Sequence, residues 1–299
     1  MNDLSVLLSY EFAQNALLAG LLASVLSGVV GAFVVIKRLV FIAGGISHAA
    51  FAGLGVCYYL GIHPLIGAVV VAVLAALLLG WLGRGDSGRH QDAFIGILWA
   101  AGMAVGIVFI HMTPGYAPNL MAYLFGDILT VSRANVWLLA GLVALTLLIM
   151  GLFYRSFVAV AFDETFAQVQ GVPVNLINQM LLVLVALAVI LLIQVVGIVL
   201  LIALFTLPPV IALMMAARSF ALVLLSAVIM GMIMTTGGLA GSYWLDIPSG
   251  PAIVLFGIGL GMLVRGLIWL RGRIRGAADT TGAVRSGAAP AIDRTGRRI

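Results

Sequence analysis

Long apolar runs separated by short polar segments make up most of this chain. Each run is about 20 residues long, enough for a helix to cross a bilayer core of about 30 Å. One run, 179–217, is too long for a single helix and must break near Gly197 or bend at Pro208 and Pro209. The pattern therefore predicts an all-α, polytopic membrane helix bundle of eight or nine transmembrane helices. The nine candidate spans are 14–36, 41–61, 65–83, 93–112, 134–154, 179–195, 197–217, 221–242 and 250–270.

The composition agrees with a membrane domain and excludes a soluble enzyme. Hydrophobic residues make up 64% of the chain, charged residues 8%, and the mean hydropathy is +1.24. Soluble domains are about 45–50% apolar and about 25% charged. We expect one transmembrane domain over 1–270. The basic, Gly/Ala-rich segment 271–299 is expected to be a disordered cytoplasmic tail close to anionic lipid.

The positions of the basic residues predict the orientation. With the N-terminus outside and nine spans, Arg133 is the one residue of the 15 Lys and Arg that falls outside, a ratio of fourteen to one. Cytoplasmic flanks of membrane proteins carry such an excess of Lys and Arg. The sequence therefore predicts a multi-pass protein of the inner or plasma membrane with a cytoplasmic C-terminus. The same bias explains the pI near 9.8 without a nucleic-acid partner.

Several motifs of enzymes are absent from the sequence. Lys37, the one lysine, is followed by Arg38, so a Walker A loop is impossible. The sequence contains no HExxH, no nucleophile elbow and no CxxC, and Cys57 is the one cysteine. By the predicted spans no Asp or Glu lies in mid-membrane, where a secondary transporter holds its coupling ion. We expect a transport subunit that is not itself an enzyme, with ATP hydrolysis on a partner chain.

Four dispersed segments resemble the permease subunits of zinc- and manganese-type metal-ion ABC importers, the ABC-3 family. The resemblance covers about 12–270, in the family's order. It implies a type II importer-like permease that forms a homodimer and pairs with cytoplasmic ABC ATPase subunits. It also implies an extracytoplasmic metal-binding protein that delivers the ion. The segments are FVVIKRLVFIAGGISHAAFAGLG (33–55), LMAYLFGDIL (120–129), DETFAQVQGV (163–172) and GGLAGSYWLDIPSGPAIVL (237–255).

For two of these segments the resemblance implies a function, one as a coupling loop and one as part of an outer gate. The internal segment 163–172 is polar and predicts a short amphipathic helix that ends at Gly171 and Pro173. The resemblance makes it the loop that couples the permease to its ATPase. It also places the external segment 120–129 near an outer gate. The coupling residues are Asp163, Glu164, Ala167 and Gly171, and the gate residues are Leu124, Phe125, Gly126 and Asp127.

His48 is the candidate metal ligand. In a helix over 41–61, Gly44, His48, Ala52 and Gly55 share one face, which leaves room for a helix or an ion beside the ring. A histidine bonded to a neighbouring carbonyl is the structural alternative. The resemblance places His48 on the metal path, with Ser47 as a second candidate ligand. Many family members carry an Asp four residues before this His, and this chain has Gly44 there.

The expected function is ATP-driven import of a divalent transition-metal ion by alternating access. Zinc is the first expectation and manganese the second, because manganese prefers oxygen ligands and the carboxylate is missing at Gly44. No permanently bound cofactor is expected; Zn²⁺ or Mn²⁺ is cargo. The alternatives are a siderophore- or haem-type ABC permease, an ion-coupled secondary transporter, and a membrane anchor.

Overall fold

The computed structural model describes residues 10–83, 91–114, 128–215 and 219–286. Within these ranges all regular secondary structure is helical, and a 3₁₀ turn covers Ile128–Thr130. The predicted all-α fold is confirmed. The helices are α1 Glu11–Ile36, α2 Val40–Tyr59, α3 Pro64–Leu82, α4 Gln91–Met112, α5 Arg133–Leu152, α6 Tyr154–Phe162, α7 Glu164–Val169, α8 Val174–Met214, α9 Phe220–Leu245 and α10 Ser249–Ser286.

Eight of these helices are long and apolar enough to cross a membrane. They are α1 to α5 and α8 to α10, while α6 and α7 are short. Helix α8 joins the two predicted spans 179–195 and 197–217 into one assigned helix of 41 residues. The prediction of eight or nine spans therefore depends on the shape of α8.

Helix α8 turns back on itself at Gly197. This residue has φ 74° and ψ 169°, a backbone conformation open to glycine and strained for other residues. Lys37, at the end of α1, binds Asn178 in the first half of α8, and Gly31 of α1 touches Phe205 in the second half. A straight helix would hold Asn178 and Phe205 about 40 Å apart. The residues that they contact at the end of α1, Lys37 and Gly31, are only about 9 Å apart along the helix axis. The two halves of α8 therefore form two separate helical segments, as the nine predicted spans require.

The break lies at Gly197 and not at the proline pair. Pro208 and Pro209 lie inside the second half of α8 and are both buried. The nitrogen of Pro209 cannot donate to the carbonyl of Phe205 four residues earlier. That carbonyl faces α1, where a Cβ on Gly31 would come within 2.7 Å of it. Glycine at position 31 therefore lets α1 pack closely against the part of α8 that proline has opened.

Helix α1 forms the centre of the bundle. It packs against both halves of α8 and runs antiparallel to α9. A Cβ on Gly28 would lie 2.7 Å from the backbone nitrogen of Val228, so the two helix backbones nearly touch. Further along the same interface the hydroxyls of Ser24 and Thr235 are 3.1 Å apart and share a hydrogen bond. Small residues and interhelical hydrogen bonds are the usual means of association between helices in lipid.

Helix α10 extends beyond the predicted end of the membrane domain. Residues up to Ile258 belong to the bundle, and residues from Gly259 form a second unit. The helix continues to Ser286, although 271–299 was expected to be a disordered tail. Arginine and alanine favour helix, and the next proline after Pro251 is Pro290, so no proline stops α10 after Leu270. Residues 287–299 of the expected tail lie outside the described residues.

Candidate functional site

Helix α2 carries His48 into close contact with α4. A Cβ on Gly102 of α4 would lie against the Cα of Ala49 and 2.8 Å from the carbonyl oxygen of His48. One turn further along α4, Gly106 lies equally close to the backbone of Phe51. The two glycines are four residues apart, so they line one face of α4. This close approach of the two backbones fixes which α4 side chains can reach His48.

The imidazole of His48 is held by two side chains of α4. Its ring stacks on the indole of Trp99, with 4.1 Å between ring centroids and 8° between planes. Its Nδ1 lies 3.4 Å from the sulfur of Met103. The ring is half-buried, as expected for a membrane histidine that faces a neighbouring helix. The orientation of the imidazole is therefore set by packing, and its Nδ1 faces a soft, weak acceptor.

Ser47 and His48 face different neighbours. The Ser47 hydroxyl donates to the carbonyl of Gly44 at 2.6 Å and is buried. It lines a small cavity shared with Ile190 and Gln194 of α8. Adjacent residues on a helix point about 100° apart, so the two side chains diverge. The structure therefore does not bring Ser47 and His48 into one ligand set, and the described residues contain no cluster of three or more His, Cys, Asp and Glu side chains.

The position of Gly44 is open in the structure. A Cβ built on Gly44 meets no atom within 4 Å, whereas one on the adjacent Gly45 would collide with Ile95. Gly44 lies one turn before His48 on α2. Packing within the described chain therefore does not require glycine at this position.

The predicted coupling residues form a tight turn over 163–171, between α6 and α8, which is called the α7 corner below. The short helix predicted in this segment is present as α7. The carboxylate of Asp163 caps it by accepting from the backbone nitrogen of Phe166 at 2.9 Å. Ala167 is fully buried, and Gly171 ends the corner with φ 80°. Asp163, Ala167 and Gly171 therefore shape the segment, and the side chains facing outward are others.

Two large apolar side chains of α7 are exposed, beside the exposed polar residues Thr165 and Gln168. Phe166 is 56% exposed and Val169 is 83% exposed. They lie three residues apart, so they share one face of the helix. Large apolar side chains this exposed outside the membrane spans are typical of a protein contact. Sequence reasoning missed both residues, although their spacing in a polar stretch was a usable signal.

Glu164 forms an ion pair with Lys37 at the end of α1. The Lys37 ammonium donates to Glu164 Oε1 at 2.6 Å and to Asn178 Oδ1 at 2.7 Å. Partial burial raises the pKa of Glu164, but the hydrogen bond and charge of Lys37 outweigh it and hold the pKa below its ordinary value. Glu164 is therefore ionised at neutral pH. The cluster lines a cavity of about 440 Å³ between α3 and the start of α8.

The predicted gate residues Leu124, Phe125, Gly126 and Asp127 lie outside the described residues. At the start of α1, Glu11 pairs with Arg133 of α5 at 3.2 Å. Both side chains are largely exposed, and such surface pairs contribute at most about 1 kcal/mol. This pair places a carboxylate beside the one basic residue that the predicted topology leaves outside.

An apolar helical bundle with eight helices of spanning length among the described residues defines a polytopic membrane protein. Residues 9–265 match the ABC 3 transport family, and the chain belongs to this family. It is 36% identical over 83% of its length to a manganese transport system membrane protein, MntC, of Halalkalibacterium halodurans, covering 85% of that protein. It is 30% identical over 82% of its length to the manganese import system permease protein ScaB of Streptococcus gordonii, covering 87% of it.

A solved structure has the same fold. PsaBC from Streptococcus pneumoniae, determined in complex with Fab, aligns with a TM-score of 0.76 and 28% identity. The alignment covers 87% of this chain and 93% of that chain. The helical permease architecture expected from the sequence is therefore confirmed.

Proposed function

We propose that this chain is the membrane subunit of an ATP-driven importer of a divalent transition-metal ion. The observation that carries the proposal is the corner at α7. A capped helix, rigidly attached to an apolar bundle, presents Phe166 and Val169 outward beside the ends of several spans. The sequence has no Walker A loop, so energy from ATP must come from another chain that binds such a surface.

Manganese is the cargo that the relatives favour. Two of them are named as manganese transport or import proteins. Zinc, the first expectation from the sequence, rests on the missing carboxylate at Gly44, because imidazole suits zinc better than manganese. We therefore propose manganese as the primary cargo and zinc as a competing one.

His48 is the proposed transient ligand on the metal path. A neutral imidazole that donates from Nδ1 to the Met103 sulfur presents the lone pair of Nε2 to an ion. Stacking on Trp99 fixes the plane of the ring. A neighbour that binds one ring nitrogen commonly sets the tautomer of a metal-binding histidine. Ser47 faces α8 and would act at a different step of the path.

The complete importer would contain further chains. We propose a homodimer of this subunit, two cytoplasmic ATPases and an extracytoplasmic metal-binding protein. The charge asymmetry supports an external N-terminus and a cytoplasmic C-terminus, with the basic segment after 270 beside anionic lipid. The ATP cycle would move the α7 corner, and the bundle would open alternately to either side.

The proposal is tested with proteoliposomes that contain the chain and its copurifying ATPase. We expect Mn²⁺ uptake that requires ATP and that Zn²⁺ inhibits competitively. Placing charge on the docking face with Phe166→Asp and Val169→Asp together should release the ATPase and stop uptake. Thr165→Asp adds a charge to the same helix outside the Phe166–Val169 pair and is the matched control.

Three results would count against the proposal. Uptake that proceeds without ATP would favour an ion-coupled secondary transporter. Uptake of chelated iron in place of free metal would favour a siderophore-type permease. Full ATPase attachment in the Phe166 and Val169 double variant would remove the docking role of the α7 face.

A further inference from the structure

Lys37 joins four helices at one point. It follows the last residue of α1, and its side chain is only 11% exposed. Its ammonium reaches the carbonyl of Val160 in α6 at 3.3 Å, the carboxylate of Glu164 in α7 at 2.6 Å and the amide oxygen of Asn178 in α8 at 2.7 Å. An ammonium has three N–H donors, and here each has an acceptor on a different helix.

The acceptors are also linked to each other. The side-chain nitrogen of Asn178 donates to Glu164 Oε1 at 3.2 Å, which closes a triangle of Lys37, Glu164 and Asn178. Exposed ion pairs usually contribute little because water competes for both partners. This pair differs, since the lysine is nearly buried and removing it would take one donor from each of three acceptors, of which Glu164 would keep Asn178 and water.

The junction connects the α7 corner to the helix that carries His48. Helix α2 begins at Val40, three residues after Lys37, through a tight turn in which Arg38 has φ 58°. Helix α1 is itself packed backbone to backbone at Gly28 and Gly31, so its end cannot move without the rest of the helix. A displacement of α7 therefore reaches α1 and α2 through the Lys37 ammonium.

We propose that Lys37 is the positioning residue that transmits movement of the α7 corner to the α1–α2 turn, so that ATP hydrolysis and ion movement stay linked while the Lys37–Glu164–Asn178 triangle is intact. This inference rests on the proposed function of the chain. It assigns Glu164 to the inner side of the corner, where it holds the bundle, and leaves ATPase contact to Phe166 and Val169.

The test measures ions imported per ATP hydrolysed by the reconstituted complex, using Mn²⁺. Lys37→Met keeps the length of the side chain and removes the charge and the donors. We expect assembly and ATP hydrolysis to persist while the ratio falls about tenfold, within the range typical of coupling between distant sites. Arg38→Met is the matched control, because Arg38 is adjacent and exposed, and it should keep the wild-type ratio.

Rescue separates a transmission role from a merely structural one. The exchanged pair Lys37→Glu with Glu164→Lys restores opposite charges at the same two positions and should recover part of the ratio, because the carbonyl of Val160 still loses its donor. A wild-type ratio in Lys37→Met, or an equal loss in Arg38→Met, would overturn the inference. If Lys37→Met does not assemble, the ratio of ions to ATP is measured for Glu164→Gln instead, since this substitution keeps the shape of the side chain and removes its charge. A wild-type ratio in that variant would overturn the inference too.

The outcomes also distinguish this inference from the proposed function. A wild-type complex that imports no Mn²⁺ with ATP contradicts the proposed function itself. A wild-type complex that does import Mn²⁺, together with a fully coupled Lys37→Met variant, contradicts only the role of Lys37.

Discussion

The close contact between α2 and α4 makes Gly102 a sharp test of the structure. An alanine Cβ at this position would lie against the Cα of Ala49, 3.0 Å from the Ala49 carbonyl oxygen and 2.8 Å from that of His48. All three are backbone atoms, so no side-chain rotation can relieve the contact. Ordinary van der Waals contact begins near 3.4 Å, so the two helices must separate by several tenths of an ångström or more.

The magnitude follows from the cost of overpacking. Forcing an extra methyl group into a well-packed contact costs about 1–3 kcal/mol. Alanine is favoured over glycine in a helix by up to about 1 kcal/mol, which opposes part of this loss. Gly96→Ala is the matched control on the same helix, because a Cβ there meets no atom within 4 Å. The helix preference cancels between the two variants, so their difference reports the contact alone.

The assay is reversible unfolding in mixed micelles by titration with sodium dodecyl sulfate, followed by circular dichroism. We expect Gly102→Ala to unfold more easily than Gly96→Ala by about 2 kcal/mol, roughly a 30-fold change in the unfolding equilibrium. The stack of His48 on Trp99 should loosen as well, since Trp99 lies on the displaced helix. Equal stabilities of the two variants, within about 0.5 kcal/mol, would refute the α2–α4 contact described here.

Two further predictions concern single ionisable side chains. His48→Ala should abolish Mn²⁺ uptake while expression and assembly with the ATPase persist. His111→Ala at the exposed end of α4 is the control, and wild-type uptake in His48→Ala would make His48 a structural residue. The lowered pKa of Glu164 predicts a stabilising contribution that is complete above the ordinary glutamate value of 4.5 and is lost as the pH falls through the folded-state pKa. Unfolding at pH 7 and at successively lower pH should show a steeper loss for the native chain than for Glu164→Gln, and parallel losses would contradict the ion pair.

The fold was largely predictable because membrane spans are a local property. About 20 apolar residues in a row must form their hydrogen bonds within the segment, so each run predicts its own helix. The break at Gly197 was predictable for the same reason, since glycine is the residue that tolerates the required conformation. The end of α10 was not, because a Gly/Ala/Arg composition suits both a solvated helix and a disordered tail.

The corner at α7 was predictable in part. Asp163 three residues before Phe166, followed by Gly171, is a local signal for a capped short helix. The partner of Glu164 lies 127 residues away in the chain, and no local rule identifies it. Lys37 is the one lysine of the sequence, and it entered the predictions only through the count of inside charges and the exclusion of a Walker A loop. A lysine at the end of an apolar span needs acceptors, and the polar segment 163–179 is one of several in the sequence that could supply them.

The environment of His48 shows where periodicity stops being informative. Helical spacing places small residues on the same face of α2 as His48, but it does not say which of α3, α4 and α8 lies opposite each face. In the structure His48 packs against Trp99 and Met103 of α4, whereas Ser47 faces α8. One helix thus contacts two different neighbours at adjacent residues, and it starts three residues after Lys37. A rotation of α2 driven from its Lys37 end would shift His48 against α4 and Ser47 against α8 together, because both side chains are fixed to the same helix. For that reason the effects of substitutions at His48 and at Lys37 should not be independent of each other.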